Sequence, residues 1–433
     1  MSKLLDIISR LRQSKLFNDS VWALLGSAAG KGLSLFAGIV VARLLGSEVY
    51  GEYGTIRNTL LMIAIFSTLG LGYSATKYIA ESKESGDDKR IRDTHRIALT
   101  TTYIFSTLMA LSLVICAKQV AIWIEAPHLS GTLRLSAIAI IFNAVNTTQS
   151  GELAGFGAYK ALAKNNTIAG IATFILSIVL TYRWKFDGAI IALILSLILN
   201  TLLNRATIKK CISTVNIGTK IERKYIREIL NFSIPIALQE SLYSITNWLG
   251  IFILIKLSGY AELGLYSAAM QWMSVILFIP GALRNVALSH FAAHNKNIQQ
   301  KNNILKNLLL INFISTFTPF IFITAISGWI TNLYGSSFNG LQPVLIVSII
   351  SAIVCSLTNV LTQEFMSRGK NWFLFLSRFA RDIGALIVAY ISVHYTSHGA
   401  LVMISSYCIL QVVYLILLLG TYIKTIKHGT ISQ

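Results

Sequence analysis

The chain has 433 residues, 54% of them hydrophobic and only 13% charged, with a mean hydropathy of +0.63. A soluble domain carries roughly 25% charged residues, so this balance excludes one and predicts an all-α protein embedded in a membrane. The net charge of +19 could answer to nucleic acid or to anionic lipid, and the placement of the cations along the chain decides between them.

Segments of the ~20 apolar residues needed to cross a bilayer recur from end to end. The first, at 20–45, is too long for a signal-peptide core and is followed by no small-x-small cleavage pattern, so it reads as a retained helix. Spans two to six follow at 52–79, 96–117, 131–155, 165–183 and 188–206. Spans seven to twelve follow at 229–256, 263–291, 306–329, 343–366, 372–393 and 399–422. The expected architecture is a polytopic protein of about twelve transmembrane helices, as two parallel six-helix bundles around a central cavity. The bundles occupy 1–208 and 229–433, with a polar cytoplasmic linker at 209–228. Pro235, Pro280 and Pro319 fall inside spans seven, eight and nine, where each permits a bend.

Cations crowd alternate loops: Arg10, Arg12 and Lys15 before span one, Lys83, Lys89, Arg90 and Arg92 after span two, Lys209, Lys210, Arg223 and Lys224 in the linker, and Lys296, Lys301, Lys424 and Lys427 later. The intervening loops hold little beyond Lys118, Arg183 and Lys185. This is the positive-inside asymmetry, and it places both termini in the cytoplasm. The basic stretches are thereby read as orientation signals lying on membrane lipid, and no nucleic-acid partner is expected.

The second half repeats the first. Displaced by 213 positions, Arg43 falls on Lys256, Gly46 on Gly259, Gly51 on Gly264, Tyr53 on Tyr266 and Lys83 on Lys296. The register then drifts by one, pairing Glu152 with Glu364 and Gly157 with Gly369, and by one again to set Gly188 on Gly399. An even number of spans per copy leaves both copies pointing the same way, so the repeat is parallel, about an axis along the membrane normal. Two like bundles with a space between them suggest a transporter. The outer loops are too short to hold the acceptor of a membrane polymerase or glycosyltransferase, so no enzyme is expected.

Lys31 is the most informative residue. It lies about eleven positions into span one, near the bilayer centre, where a charge costs roughly 2.5–3.5 kcal/mol, so it must face protein or water. It shares a helical face with Ser27, Ser34 and Gly38, and span seven carries Glu240, Ser244 and Asn247 at the same spacing. Glu240 maps onto Ser27, one turn from Lys31, so the two charges either line a shared cavity or form a structural ion pair. Arg57, Arg134, Arg284, Arg378 and Arg381 lie near span ends and either line the cavity or snorkel to headgroups. These six cations are the candidates for holding an anionic substrate. Glu240, Glu364, Asp382 and Glu152 are the candidates for ion coupling or gating, although Asp382 is not on the helical face of its neighbour Arg381. Asn143, Asn146, Ser150, Asn359 and Gln363 offer groups that bind sugars or tie helices together. Gly26 and Gly30, like Gly151 and Gly155, have the GxxxG spacing of a packing surface. The fragment GSAAGKG around Lys31 fails as a nucleotide-binding loop, because Leu25 and Gly32 stand where Gly and Ser or Thr are required. The four cysteines are scattered, so neither metal nor other cofactor is expected.

ARLLGSEVYGEYG from Ala42 and STLGLGYSATKYIAESK from Ser67 resemble the first two helices of the Wzx-type polysaccharide flippases, of the multidrug/oligosaccharidyl-lipid/polysaccharide (MOP) exporter superfamily. The resemblance implies a multi-pass protein of the bacterial inner membrane. Such a protein moves undecaprenyl-diphosphate-linked oligosaccharide to the periplasmic leaflet for O-antigen, lipopolysaccharide or a related glycan, and works beside a glycan polymerase and chain-length machinery. The alternative is a cation-coupled multidrug exporter of the same superfamily, whose MATE members usually carry a carboxylate in the first helix, where this chain has Lys31. A MurJ-type lipid II flippase would be expected to have two further helices.

Overall fold

The computed structural model describes Gly30, 32–212, 223–281, Leu283, 298–368, 370–396 and 398–429, and among these residues there are helices and no strands. In chain order, α1 is Gly32–Leu45, α2 Ser47–Thr68, α3 Leu71–Ser85 and α4 Asp88–Trp123. After a 3-10 turn at Pro127–Leu129 come α5, Ser130–Ser136, and α6, Ile138–Gly155. Then follow α7, Tyr159–Ile212, α8, Arg223–Ile276, α9, Ile298–Ala325, and α10, Ser327–Tyr334. The series closes with α11, Leu341–Ser367, α12, Asn371–His394, and α13, Gly399–Gly429.

Among the described residues, these helices follow the expected spans. Span two is α2 with α3, bent by 44°, and span four is Pro127–Ser136 with α6, bent by 45°. Each of α7 and α8 runs 54 residues, more than two crossings of ~20 residues. The first is broken at Trp184 and Lys185, where φ at Lys185 is 49°, and supplies spans five and six. The second is broken at Gly259 and supplies spans seven and eight. Span eleven, α12, carries Arg378, Arg381 and Asp382 within an otherwise apolar helix.

Large apolar side chains point outward along the spans, with Ile115 79%, Leu108 54%, Ile321 55% and Phe322 64% exposed. Exposure on this scale is what a lipid-facing surface requires and what water would not tolerate. At one end of α3, buried Leu71, Ala75 and Ile79 pack with Leu153 of α6, Ile208 of α7 and Ile229 of α8. A second cluster joins Leu361 and Phe365 of α11 to Leu374 of α12 and Leu418 of α13.

The chain groups into two compact units. Of the described residues, one holds those up to Ala37 with those of Tyr53–Trp248, and the other Gly38–Glu52 with those from Leu249 onward. The grouping departs from a division at 209–228 in two respects: 38–52 cluster with the second half, and 229–248 with the first.

The repeat is visible in the backbone. Gly46 and its mate Gly259 have φ of 79° and 81°, a region open to glycine and disfavoured for other residues. Within the second unit, a Cβ on Gly51 would meet the Tyr260 carbonyl oxygen at 2.0 Å, and a Cβ on Gly264 would meet that of Ser47 at 2.0 Å. Ser47 and Tyr260 are themselves repeat mates, so α2 and the far arm of α8 cross backbone on backbone about a local two-fold.

Candidate functional site

The first unit contains a cavity of about 280 Å³ beside the bend of span two. The bend comes from the backbone rather than from proline. Leu69 and Gly70 sit at φ 46° and 69°, and two successive left-handed residues end α2 and start α3 in a new direction. Beyond the bend α3 is drawn tight against α6: a Cβ on Gly151 would lie 2.1 Å from the Gly72 carbonyl oxygen. Gly155 likewise has no room for a side chain against Ile79 and Ala75, so the spacing of Gly151 and Gly155 is a packing surface, as expected. Thr76 Oγ1 fastens the contact by donating to the Gly151 carbonyl at 2.9 Å and to that of Gly72 at 3.0 Å.

Thr68, Tyr73, Thr76, Thr147, Ala237 and Glu240 line the space this leaves. Thr68 Oγ1 donates to the Ile65 carbonyl at 2.9 Å and Thr147 Oγ1 to that of Asn143 at 3.0 Å. Each threonine thus gives its one proton to the backbone, and what it can offer the cavity is lone pairs. The Glu240 carboxylate adds acceptors of the same kind.

The other candidates are distributed. Lys31 and Arg284 lie outside the described residues. Arg57 on α2 and Arg134 on α5 are exposed. Arg378, Arg381 and Asp382 come together on α12. Arg381 Nε and Nη2 donate to Asp382 Oδ1 at 2.8 and 2.5 Å, and its Nη1 donates to Gln411 Oε1 on α13 at 2.8 Å. The guanidinium also lies 5.0 Å from the Tyr414 ring centre. Consecutive residues diverge on a helix, but the long arginine side chain wraps back, so the pair forms although the two residues occupy different faces. Arg378 approaches Asp382 Oδ2 only at 3.9 Å and is 47% exposed. Asp382→Ala should cost about 2 kcal/mol by leaving Arg381 without its carboxylate, and Arg378→Ala about 0.5 kcal/mol or less. Thermal unfolding of the purified variants reads the difference, and equal losses would refute this ranking.

Glu152 and Glu364, the repeat mates, are both fully buried. Glu152 Oε1 is 2.9 Å from His95 Nδ1 of α4, while Glu364 is held by Arg368, one turn along its own chain. The mates therefore share burial and a basic neighbour, but the neighbour comes from a different place in each half. Neither His95 nor Arg368 stood out in the sequence, because both sit among the cations that orient the loops.

Of the amides, Asn146 accepts from Asn204 Nδ2 at 2.8 Å, and Asn204 in turn accepts from Asn165 Nδ2 at 3.0 Å, so this row ties α6 to both arms of α7. At the basic end of the unit, Arg90 of α4 meets Glu228 at 2.9 Å and stacks on the Tyr225 ring at 4.9 Å. Burial pushes the Tyr225 phenol and the Cys211 thiol upward, so both are protonated at neutral pH and Cys211 is no nucleophile. Among the described residues, no three His, Cys, Asp or Glu side chains gather as a metal site.

Helical units built from a duplicated six-span module define a multi-pass membrane protein of the paired-bundle class. The chain belongs to the family of polysaccharide biosynthesis proteins, whose sequence profile matches residues 40–318. Among its relatives, the EPS I polysaccharide export inner membrane protein EpsE of Ralstonia solanacearum is 23% identical over 431 residues, 95% of each chain. An uncharacterized membrane protein of Methanocaldococcus jannaschii, MJ1375, is 23% identical over 58% of this chain and 61% of its own. Of solved structures, an inward-facing multidrug resistance MATE transporter of the MOP superfamily superposes with a TM-score of 0.77 at 16% identity, covering 92% of this chain and 95% of that one. A MOP superfamily transporter from Pyrococcus furiosus follows at 0.70 and 16%, covering 94% and 95%. The fold is that of the MOP superfamily, and the resemblance to its Wzx-type flippases is borne out at the level of family and fold.

Proposed function

We propose that the protein is a flippase that carries undecaprenyl-diphosphate-linked oligosaccharide, the repeat unit of an O-antigen or related surface glycan, from the cytoplasmic to the periplasmic leaflet of a bacterial inner membrane. The observation that carries the reading is the likeness to EpsE, a polysaccharide export protein of the inner membrane, along 95% of both chains. The physical problem is the headgroup. An unpaired ion in hydrocarbon costs tens of kcal/mol by Born estimates, and a diphosphate bearing sugars is more polar still. Intramembrane cations lower that barrier, and Lys31, with Arg57, Arg134, Arg284, Arg378 and Arg381, outnumbers the acids Glu152, Glu240, Glu364 and Asp382. The lipid tail stays in the bilayer while the bundles expose the site alternately to each side, with both termini in the cytoplasm. The reading also makes the protein a neighbour of a glycan polymerase and its chain-length machinery.

Reconstituted into liposomes, the full chain should move lipid-linked oligosaccharide between leaflets, and Lys31→Ala should slow the transfer at least about tenfold while inserting normally. Wild-type rates in Lys31→Ala would remove that residue from the mechanism, and no transfer by the parent protein would remove the function.

One observation favours a second reading, a cation-coupled exporter of the same superfamily: among the described residues, the cavity of the first unit holds the carboxylate of Glu240 and none of Arg57, Arg134, Arg378 and Arg381. Efflux of a cationic dye by the same liposomes, without lipid transfer, would select it.

A further inference from the structure

We propose that the cavity at the bend of span two is a sugar-binding subsite, which takes one hydroxyl-rich ring of the glycan carried by the same protein. The inference rests on the flippase reading and adds to it where the sugar, rather than the diphosphate, is held. Apart from the Tyr73 phenol, the polar side chains of the lining are acceptors. Thr68, Thr76 and Thr147 have committed their hydroxyl protons to backbone carbonyls, and Glu240 is a carboxylate, so these four groups accept hydrogen bonds. Acceptors of this kind repel a phosphate and suit a ligand that donates, and a sugar ring is a dense array of O–H donors.

Size decides between the donors available. A bound metal cation needs several oxygens converging at about 2.0–2.6 Å; among the described residues no three His, Cys, Asp or Glu side chains gather as such a site, and a space of 280 Å³ leaves room for a larger ligand. The same space approaches the lower bound of ordinary small-molecule sites, about 300 Å³, and suits a single ring. The remaining wall is apolar or bare. Tyr73 supplies an aromatic ring, Ile65 and Ala237 supply methyl groups, and Gly70, Gly72 and Gly151 expose backbone, surfaces on which the C–H face of a sugar can rest. The acceptors are also rigidly placed. Thr76 is tied to both α3 and α6, and Gly151 leaves no slack between them, so little ordering cost falls on the ligand.

The geometry thus separates recognition from charge neutralisation. The sugar is read by acceptors at the junction of α3, α6 and the first arm of α8, where none of the described candidate cations sits. Truncating this wall should alter which headgroups are bound without altering the affinity for a bare diphosphate.

The test is binding by the full chain in nanodiscs of phosphatidylethanolamine and phosphatidylglycerol. The probes are undecaprenyl diphosphate and its glucosyl, galactosyl and N-acetylglucosaminyl derivatives. At least one sugar-bearing lipid should bind about tenfold more tightly than undecaprenyl diphosphate. Glu240→Gln, which keeps the shape, and Ala237→Phe, which fills the space, should each abolish the preference and leave the sugar-free lipid bound as before. If undecaprenyl diphosphate binds but no sugar adds affinity, or if both variants keep the preference, the subsite is refuted while the flippase reading stands. If none of the four lipids binds, both fail. A gain that follows sodium concentration and ignores the sugar would assign the acceptors to an ion and overturn the proposal.

Discussion

Gly264→Leu should yield no folded, monodisperse protein, and Gly264→Ala and Gly51→Ala should each lose about 3 kcal/mol. The reason is the crossing of α2 with the far arm of α8. A Cβ at either position would stand 2.0 Å from a carbonyl oxygen of the facing helix, at Tyr260 or at Ser47. A flexible side chain could swing away from such a clash, but a helical carbonyl cannot. The helices would have to separate, and packed backbones lose dispersion quickly with distance. Because the two glycines face one another at a single crossing, Gly51→Ala with Gly264→Ala should cost less than the sum of the singles. Gly420→Ala is the control: nothing lies within 4 Å of the site, and alanine favours helix over glycine by about 1 kcal/mol, so this variant should be neutral or slightly more stable. Thermal unfolding in detergent, followed by gel filtration, reads all five. A Gly264→Ala protein that melts with the parent would show that the crossing is looser than the geometry states.

His95→Ala should cost about 1–3 kcal/mol, the loss expected when a buried hydrogen-bonding group is left without its partner. Glu152 is fully buried, its Oε1 lies 2.9 Å from the imidazole, and its Oε2 is buried without a hydrogen-bond partner. The carboxylate already lacks one contact, and losing the second leaves it stranded in the helix interface. Glu152→Gln should cost under about 1 kcal/mol, since the amide keeps the hydrogen bond and sheds the charge. Replacing both residues, as His95→Leu with Glu152→Leu, should recover most of the loss, because apolar pairs of similar volume commonly substitute for buried ion pairs at no cost. The cycle is read by unfolding of the purified proteins. If His95→Ala and Glu152→Gln are equally mild, the pair contributes little and Glu152 is accommodated by other means.

The features legible in the sequence are those the backbone demands. Gly46 and Gly51 recur as Gly259 and Gly264 because one pair must reach positive φ and the other must admit a facing carbonyl, and no other residue does either cheaply. Such requirements persist after a duplication while surface residues drift, so the repeat register could be read through them. The count of spans was legible for the same reason, since the length of an apolar run answers to membrane thickness alone. The bends were not. The 44° and 45° bends in spans two and four arise at Leu69–Gly70 and beside Ala137, where no proline marks them in the sequence.

The cavity was legible only through Glu240. Its wall draws on 65–76, 147–151 and 237–240, and three segments so far apart meet only after α3, α6 and α8 have packed. The threonines there looked like ordinary helix-face residues, and only the direction of their hydrogen bonds shows them as acceptors. Of the charged candidates, Asp382 and Arg381 were recognised singly. Their union escaped because a helical wheel places residues by direction and takes no account of how far an arginine can reach.

The opening span is split between the units, with 32–37 in one and 38–45, together with 46–52 of the segment that follows, in the other. That division has a consequence for biogenesis. When the ribosome has delivered the first six crossings, residues 38–52 still lack the neighbours they will have from 249 onward, so the earliest helix to enter the bilayer is among the last to finish packing. Until the remainder of the polypeptide emerges, that stretch must wait among lipids with its glycine-lined face uncovered. A chain severed at the linker would produce fragments each missing a structural strut held by the other.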